Sequence, residues 1–172
     1  HIPGHGRATV DSHLDVPRVT ASGKELRAVD FVPFQALASQ PLGMTAHVVF
    51  EALDADNVAT VSKTMIGDII RGEIGFDGFL MTDDIGMDAL QGCIAARCEA
   101  ALAAGCDAIL HCSGDFDEMR QVAAAVPPLT DAAQSRWQSA AARISSADAM
   151  VIAGELAKQL SDLIDPTGMG SS

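Results

Sequence analysis

Residues 71–87, RGEIGFDGFLMTDDIGM, decide the fold of this chain. Gly75 follows the amphipathic run Lys63 to Ile74, and a glycine in this position predicts the C-terminal end of a helix. Phe79 to Met81 then form a short apolar run that ends abruptly at Thr82-Asp83-Asp84. The predicted order is therefore helix, turn, buried strand and two carboxylates.

This order predicts a catalytic position at the end of the strand. Barrels and open α/β sheets present catalytic groups at the carboxyl ends of buried parallel strands. The alternative is structural, because Asp83 or Asp84 could simply cap the next helix. The residues themselves leave both interpretations open.

The remaining chain alternates helical and extended patterns. This alternation predicts an α/β fold, in which helices cover a parallel sheet. Only three strands are clear, and a complete (β/α)8 TIM barrel takes about 250 residues, so the pattern fits a small three-layer sheet or part of a barrel. His47 lies within one predicted strand, where we expect a hydrogen-bonded core histidine. The predicted helices are 22–37 with a break near Pro33, 63–74 with Ser62 as N-cap, 92–104, 115–125, 131–145 and 147–163; the strands are 44–50, 79–81 and 107–112.

Composition narrows the classes of function. The 172 residues are 48% apolar, which is typical of a globular chain, and no apolar run approaches the roughly 20 residues that span a bilayer. A net charge of −12 without a Lys/Arg cluster argues against nucleic acid or an anionic membrane surface as a partner. We expect the four cysteines to be small buried residues of a reducing compartment. Without a signal-peptide pattern, the expected location is cytoplasmic.

The first seventeen residues, HIPGHGRATVDSHLDVP, predict a loop that is rich in titratable groups. Within it, Asp11-Ser12-His13 places a carboxylate two residues from a histidine. Such a carboxylate can fix the histidine tautomer and leave the other ring nitrogen free to exchange a proton. The alternative is that Asp11 turns the loop and His13 is solvated. His1 and His5 have the spacing of a helical metal pair, but Pro3 and Gly4 remove the helix that such a pair needs.

Several motifs together resemble those of the glycoside hydrolase family 3 β-N-acetylhexosaminidases, the NagZ-like enzymes. HIPGHGRATVDSH is similar to the family's Lys-His-x-Pro-Gly-His-Gly loop with its Asp-Ser-His dyad, and IGFDGFLMTDDIGM resembles its nucleophile strand. GMTAHVVFEALD and AGCDAILHC are similar to the neighbouring strands. The pieces follow the family's order through Cys112.

The resemblance implies roles for particular residues. Asp83, directly after Thr82, takes the position of the nucleophile, and Asp84 is its neighbour. His13 takes the acid/base position, with Asp11 as its partner.

The resemblance also implies positions that contact the sugar. His1 matches a histidine that contacts the bound sugar, and Met87 lies where the family has a residue lining the sugar site. His5 and His47 match motif positions for which we expect structural roles. No cofactor and no metal are implied.

The implied function is that of a retaining exo-β-N-acetylglucosaminidase acting on muropeptides in cell-wall recycling. The implied fold is the C-terminal half of a TIM barrel, about strands 5–8, over residues 1–165, followed by a flexible tail at 166–172. The other half would be the partner that completes the sugar site, so the chain alone should be inactive.

Three alternatives remain open at this point. A histidine acid leaves no fixed anion beside the intermediate, so phosphate could replace water and make the enzyme a phosphorylase. The chain could also be an inactive half-barrel fragment or interaction module. A metal-dependent hydrolase could instead use His1, His13, His47, His111 and Asp83, because histidines and acids cluster at the predicted strand ends.

Overall fold

The computed structural model describes residues 1–8 and 16–145, with side chains to 143. The chain divides into two compact units, His1–Ala140 and Ala141–Ser172, and the first contains nearly all described residues. The predicted last helix, 147–163, and the tail at 166–172 lie outside the described residues.

A parallel three-stranded sheet forms the centre of the first unit. Its strands are β2 (Leu42–Met44), β4 (Phe79–Asp84) and β5 (Ala108–Leu110), in the order β2-β4-β5. Ile2 forms a further parallel bridge with Thr45, and its backbone binds Met44 and Ala46. Chain order and sheet order therefore agree across four successive positions, as in part of a (β/α) barrel. Within the described residues the sheet is open and no barrel closes.

A second, two-stranded parallel sheet was missed by the sequence analysis. It pairs β1 (Arg18–Val19) with β3 (Val49–Phe50). The predicted strand 44–50 is therefore wrong as one element, because residues 45–48 separate β2 from β3. Residues 45–48 are nevertheless all buried, Thr45 and His47 included, so no exposed loop marks the change of sheet.

Helices follow the strands and cover the core. The first helical stretch begins at Ser22, which forms a capping box with Glu25, and is broken at Phe31 before Pro33. Helix 63–74 is confirmed in place but is wound as a π-helix, with the Ile74 N–H bound to the Ile69 carbonyl at 2.8 Å. The helices are α1 (Gly23–Glu25), the π-helix Leu26–Asp30, α2 (Val32–Ala36), the 3-10 turn Ala59–Val61, the π-helix Thr64–Glu73, α3 (Ile94–Ala104), α4 (Phe116–Ala125) and α5 (Asp131–Ser145).

Two predicted helix ends depend on glycine. Gly75 and Gly105 both have positive φ angles, +78° and +119°, and each follows the helix it was expected to end. The buried core then gathers apolar side chains from the strands and helices, among them Leu26, Phe50, Ile66, Ile70, Leu80 and Cys98.

An ion-pair cluster fixes the amino end of β5 to its neighbours. The buried carboxylate of Asp107 accepts hydrogen bonds from the Leu80 N–H and from Arg71 at 2.9 Å each, and from Arg136 of α5 at 2.9 Å. Arg136 also contacts Asp77 at 3.3 Å. Asp107 thereby connects two strands, the π-helix Thr64–Glu73 and α5.

Expectations for the cysteines were correct for two of four. Cys98 and Cys106 are buried, but Cys93 and Cys112 are exposed because they lie just outside α3 and β5. Burial raises the pKa of the Cys106 thiol to about 12. Among the helices in the described ranges, none is long and apolar enough to cross a membrane.

Candidate active site

The carboxyl end of β4 presents the two predicted carboxylates. Thr82 is buried, and its hydroxyl accepts a hydrogen bond from the Leu110 N–H at 2.9 Å, which holds β5 beside this end of the strand. Asp83 and Asp84 complete the strand, and both are partly buried. The prediction that a central parallel strand delivers acids at its carboxyl end is confirmed.

The two carboxylate oxygens of Asp83 have different surroundings. Oδ1 accepts a hydrogen bond from the Asp84 N–H at 2.9 Å. Oδ2 lies 3.0 Å from Nε2 of His1, and the Asp83 side chain is 14% exposed against 41% for His1. Because Ile2 pairs with Thr45, His1 is delivered to the same edge as Asp83. Two of the predicted site residues are thus in contact.

Asp84 has a structural role at the strand end. Its Oδ1 accepts hydrogen bonds from the Gly86 N–H at 3.0 Å and from the Cys112 N–H at 3.1 Å. It therefore closes the turn after β4 and joins this turn to the end of β5. The alternative that one acid serves as a cap applies to Asp84, which caps a turn and not a helix.

His47 is a buried, fully bonded histidine, as predicted. Its Nδ1 lies 2.7 Å from the Thr60 hydroxyl, and its Nε2 lies 2.9 Å from the Asp84 carbonyl oxygen. Burial lowers the pKa of His47, outweighing the Asp84 carbonyl and the nearby carboxylates, which raise it. The ring is therefore neutral at neutral pH and supports the backbone of the strand end.

Arg97 of α3 holds the turn that follows the two acids. One guanidinium nitrogen donates to the carbonyls of Ile85, Gly86 and Met87 at 3.1 to 3.2 Å. Met87, the predicted sugar-lining residue, lies in this turn and is 7% exposed. Sequence reasoning missed Arg97, although a single cation in the apolar run IAARCEAALAA was a usable signal.

A polar cluster at the end of β5 was also only partly anticipated. Glu118 of α4 binds His111 Nε2 at 2.9 Å and the Ser113 hydroxyl at 2.7 Å, and these hydrogen bonds lower the pKa of Glu118. His111 Nδ1 is buried and has no partner among the described residues.

The structure does not describe the predicted acid/base pair. Asp11 and His13 lie outside the described residues, between Ala8 and Val16.

The side chains proposed as ligands for a metal-dependent hydrolase do not converge within the described residues. His1 contacts Asp83, both nitrogens of His47 are engaged by Thr60 and Asp84, and His111 binds Glu118. Within the described ranges, no group of three or more His, Cys, Asp or Glu residues is arranged to hold a metal ion.

These features define an α/β domain with an acid presented at a parallel strand end, and comparison with known proteins gives its family. The model of the glycosyl hydrolase family 3 N terminal domain matches residues 1–147, so the chain belongs to this family. Among curated relatives, a beta-hexosaminidase of Alkalilimnicola ehrlichii is 44% identical over 117 residues, covering 66% of this chain and 33% of the relative. A beta-hexosaminidase of Pseudomonas aeruginosa is also 44% identical, over 116 residues, covering 66% of this chain and 35% of the relative.

Solved structures support the same relationship. NagZ from Neisseria gonorrhoeae in complex with N-trifluoroacetyl-D-glucosamine matches with a TM-score of 0.71 and 29% identity, covering 91% of this chain and 48% of that one. A family 3 β-N-acetylglucosaminidase from Paenibacillus sp. matches with a TM-score of 0.69 and 30% identity, covering 81% and 28%. The chain spans about a third of the length of the curated relatives it matches.

Proposed function

We propose that this chain supplies the nucleophile portion of a retaining exo-β-N-acetylglucosaminidase. Asp83 is the nucleophile, His13 the acid/base residue and Asp11 its partner, while His1 and Met87 contact the sugar. One observation carries the proposal: Asp83 lies at the end of the central strand with Oδ1 held by a backbone N–H and Oδ2 beside His1.

The chemistry proceeds in two displacement steps. A carboxylate oxygen of Asp83 bonds to the anomeric carbon while the bond to the leaving oxygen breaks, and protonated His13 gives its proton to that oxygen. In the second step neutral His13 takes a proton from water. The water oxygen bonds to the anomeric carbon and releases the Asp83 carboxylate. Asp11 would hold the His13 tautomer in both steps.

The proposed substrate is a terminal β-linked N-acetylglucosamine of peptidoglycan-derived muropeptides, in cytoplasmic cell-wall recycling. Membership of family 3 and relatives that are beta-hexosaminidases support the sugar class. A complex of one relative with an N-acylated glucosamine supports recognition of the amide substituent.

The proposed partner is the part of the catalytic domain that the relatives possess beyond the matched region. β5 has a strand neighbour on one side only among the described residues. Along β5 and α4 runs an apolar groove of about 520 Å³, and exposed Met119 and Leu129 line it. An unpaired parallel strand beside apolar surface fits docking of a further strand-helix unit. In this proposal the chain is the C-terminal half of the barrel and is inactive alone.

Trapping of the covalent intermediate tests the function. The chain, alone and combined with the remaining part of the catalytic domain, is treated with a 2-acetamido-5-fluoro glycosyl donor and mapped by peptide mass spectrometry. We expect a sugar adduct on Asp83 in the combined sample, none in Asp83→Asn, and normal labelling in Asp88→Asn, which changes an exposed acid of the same turn. An adduct on another residue, or binding of the sugar without any adduct, would refute the assigned mechanism.

A further inference from the structure

A chain of buried polar groups runs from the sheet to the backbone of the candidate nucleophile. The Thr45 and Thr60 hydroxyl oxygens are 2.8 Å apart, and Thr60 is 2.7 Å from His47 Nδ1. His47 Nε2 then lies 2.9 Å from the Asp84 carbonyl oxygen. All three side chains are fully buried, so water does not compete for these hydrogen bonds.

The direction of each hydrogen bond follows from the last acceptor. A carbonyl oxygen can only accept, so His47 Nε2 carries the proton and donates to Asp84. In the neutral ring Nδ1 can only accept, and it lies 2.7 Å from the Thr60 hydroxyl. The Ala46 carbonyl oxygen is a second acceptor for this hydroxyl at 3.1 Å, and the single Thr60 proton goes to the shorter contact, Nδ1. Thr45 then donates to Thr60. The charged groups that face the ring are Asp83, Asp84 and Arg97.

The backbone of Asp84 therefore links His47 to the nucleophile, Asp83. The Asp84 carbonyl is bound by His47, and the Asp84 N–H is bound by Asp83 Oδ1 at 2.9 Å. With Oδ1 fixed in this way, Oδ2 is the oxygen that faces His1 at 3.0 Å.

We infer that His47 is a positioning residue, which orients the Asp83 carboxylate through the Asp84 backbone and makes Oδ2 the oxygen that attacks the anomeric carbon. The inference deepens the proposed function and rests on it. A displacement of about 1 Å in a reacting group can cost about 100-fold in rate. Loss of the support should consequently act on the rate of the bond-making step more than on sugar binding.

Two variants of similar polarity separate positioning from general core stability. In His47→Gln the side-chain amide nitrogen can reach the place of Nε2, so the donor to Asp84 is kept. In His47→Asn the shorter amide reaches only the place of Nδ1, so the Thr60 contact is kept and the Asp84 contact is lost. Both variants bury an amide at the same site.

The first measurement is kcat and KM with an aryl 2-acetamido-2-deoxy-β-glucoside, using each variant combined with the remaining part of the domain. We expect His47→Gln to stay within about threefold of the wild type, and His47→Asn to lose about 10- to 100-fold in kcat with KM changed less than about threefold. Equal losses in the two variants, or a loss confined to KM, would overturn the inference.

A second measurement does not depend on activity. Hydrogen exchange of the Asp84 amide is followed in the chain by NMR, since this N–H binds Asp83 Oδ1. We expect at least about tenfold faster exchange in His47→Asn and little change in His47→Gln, with amides of β2 unchanged in both. If the wild-type assembly hydrolyses no acetamido glycoside, the proposed function fails. The exchange rates then decide the positioning of Asp83 alone, and equal rates in both variants refute it.

Discussion

Replacing Asp107 with alanine should remove a large part of the stability of this chain. The change leaves the buried Leu80 N–H without its acceptor and separates Arg71 and Arg136 from their shared carboxylate. Losing one partner of a buried ion pair costs about 3 to 5 kcal/mol. Arg71 retains hydrogen bonds to the Phe76 and Gly78 carbonyls, so we expect the lower end, about 3 kcal/mol.

Asp77 offers a matched control because it contacts the same Arg136 from the surface. Its side chain is 88% exposed, and Asp77→Ala should change stability by no more than about 0.5 kcal/mol. Urea unfolding at neutral pH, followed by circular dichroism and by fluorescence of Trp137, measures both variants. Trp137 is the only tryptophan, and its ring packs on Phe79 of β4 at 5.4 Å between centroids.

A difference between Asp107→Ala and Asp77→Ala of less than about 1 kcal/mol would refute the claim that burial makes the Asp107 cluster important. Asp107→Asn keeps one oxygen acceptor and should lie between the wild type and Asp107→Ala. It provides the comparison if the alanine variant does not fold.

Two further predictions follow from close packing and from thiol chemistry. In Gly78→Ala the new Cβ would lie 2.5 Å from the Gln40 carbonyl oxygen, so urea unfolding should show a loss of about 1 to 3 kcal/mol in the free energy of unfolding. The control Gly67→Ala changes an exposed helix position with nothing within 4 Å of the new Cβ, and it should be neutral or stabilising. Equal effects of the two substitutions would contradict this packing. In iodoacetamide labelling of the native chain at pH 8, read by mass spectrometry, exposed Cys93 should react first. Cys112 should react more slowly and accelerate as pH rises, because desolvation and the Asp84 and Asp83 charges raise its thiol pKa. Buried Cys106 should stay unmodified. Early labelling of Cys106 would show that the core opens.

The sequence predicted those features that depend on local signals. Gly75, Gly105 and the Ser22 cap act within a few residues of their positions, and all three end or begin helices where expected. The acids at the carboxyl end of β4 were predictable for a related reason, because an apolar run that stops at two acids has few ways to satisfy both burial and charge. The predicted end of the strand, Met81, was three residues short of the observed end at Asp84. The contact of His1 with Asp83 could be anticipated only from the family resemblance.

Other features depend on tertiary contacts that leave little trace in the pattern. The segment around His47 is buried and contains no glycine or proline, so the sequence pattern could not show that β2 ends at Met44 and that Val49 joins another strand. The i to i+5 winding of helix Thr64–Glu73 has no sequence signature of its own. The segment 51–60 contains three acidic residues, yet Val58 to Thr60 are buried because the Thr60 hydroxyl contacts His47.

The order of strands in the sheet has a consequence for biosynthesis. Neighbouring positions are separated by 43 residues for Ile2 and Thr45, 37 for Leu42 and Phe79, and 27 for Met81 and Ala108. The entropy of closing these loops differs by only about 0.4 kcal/mol, so chain length favours none of the three pairings. Each strand leaves the ribosome after the neighbour it will bind, and the sheet can grow in one direction as the chain is made.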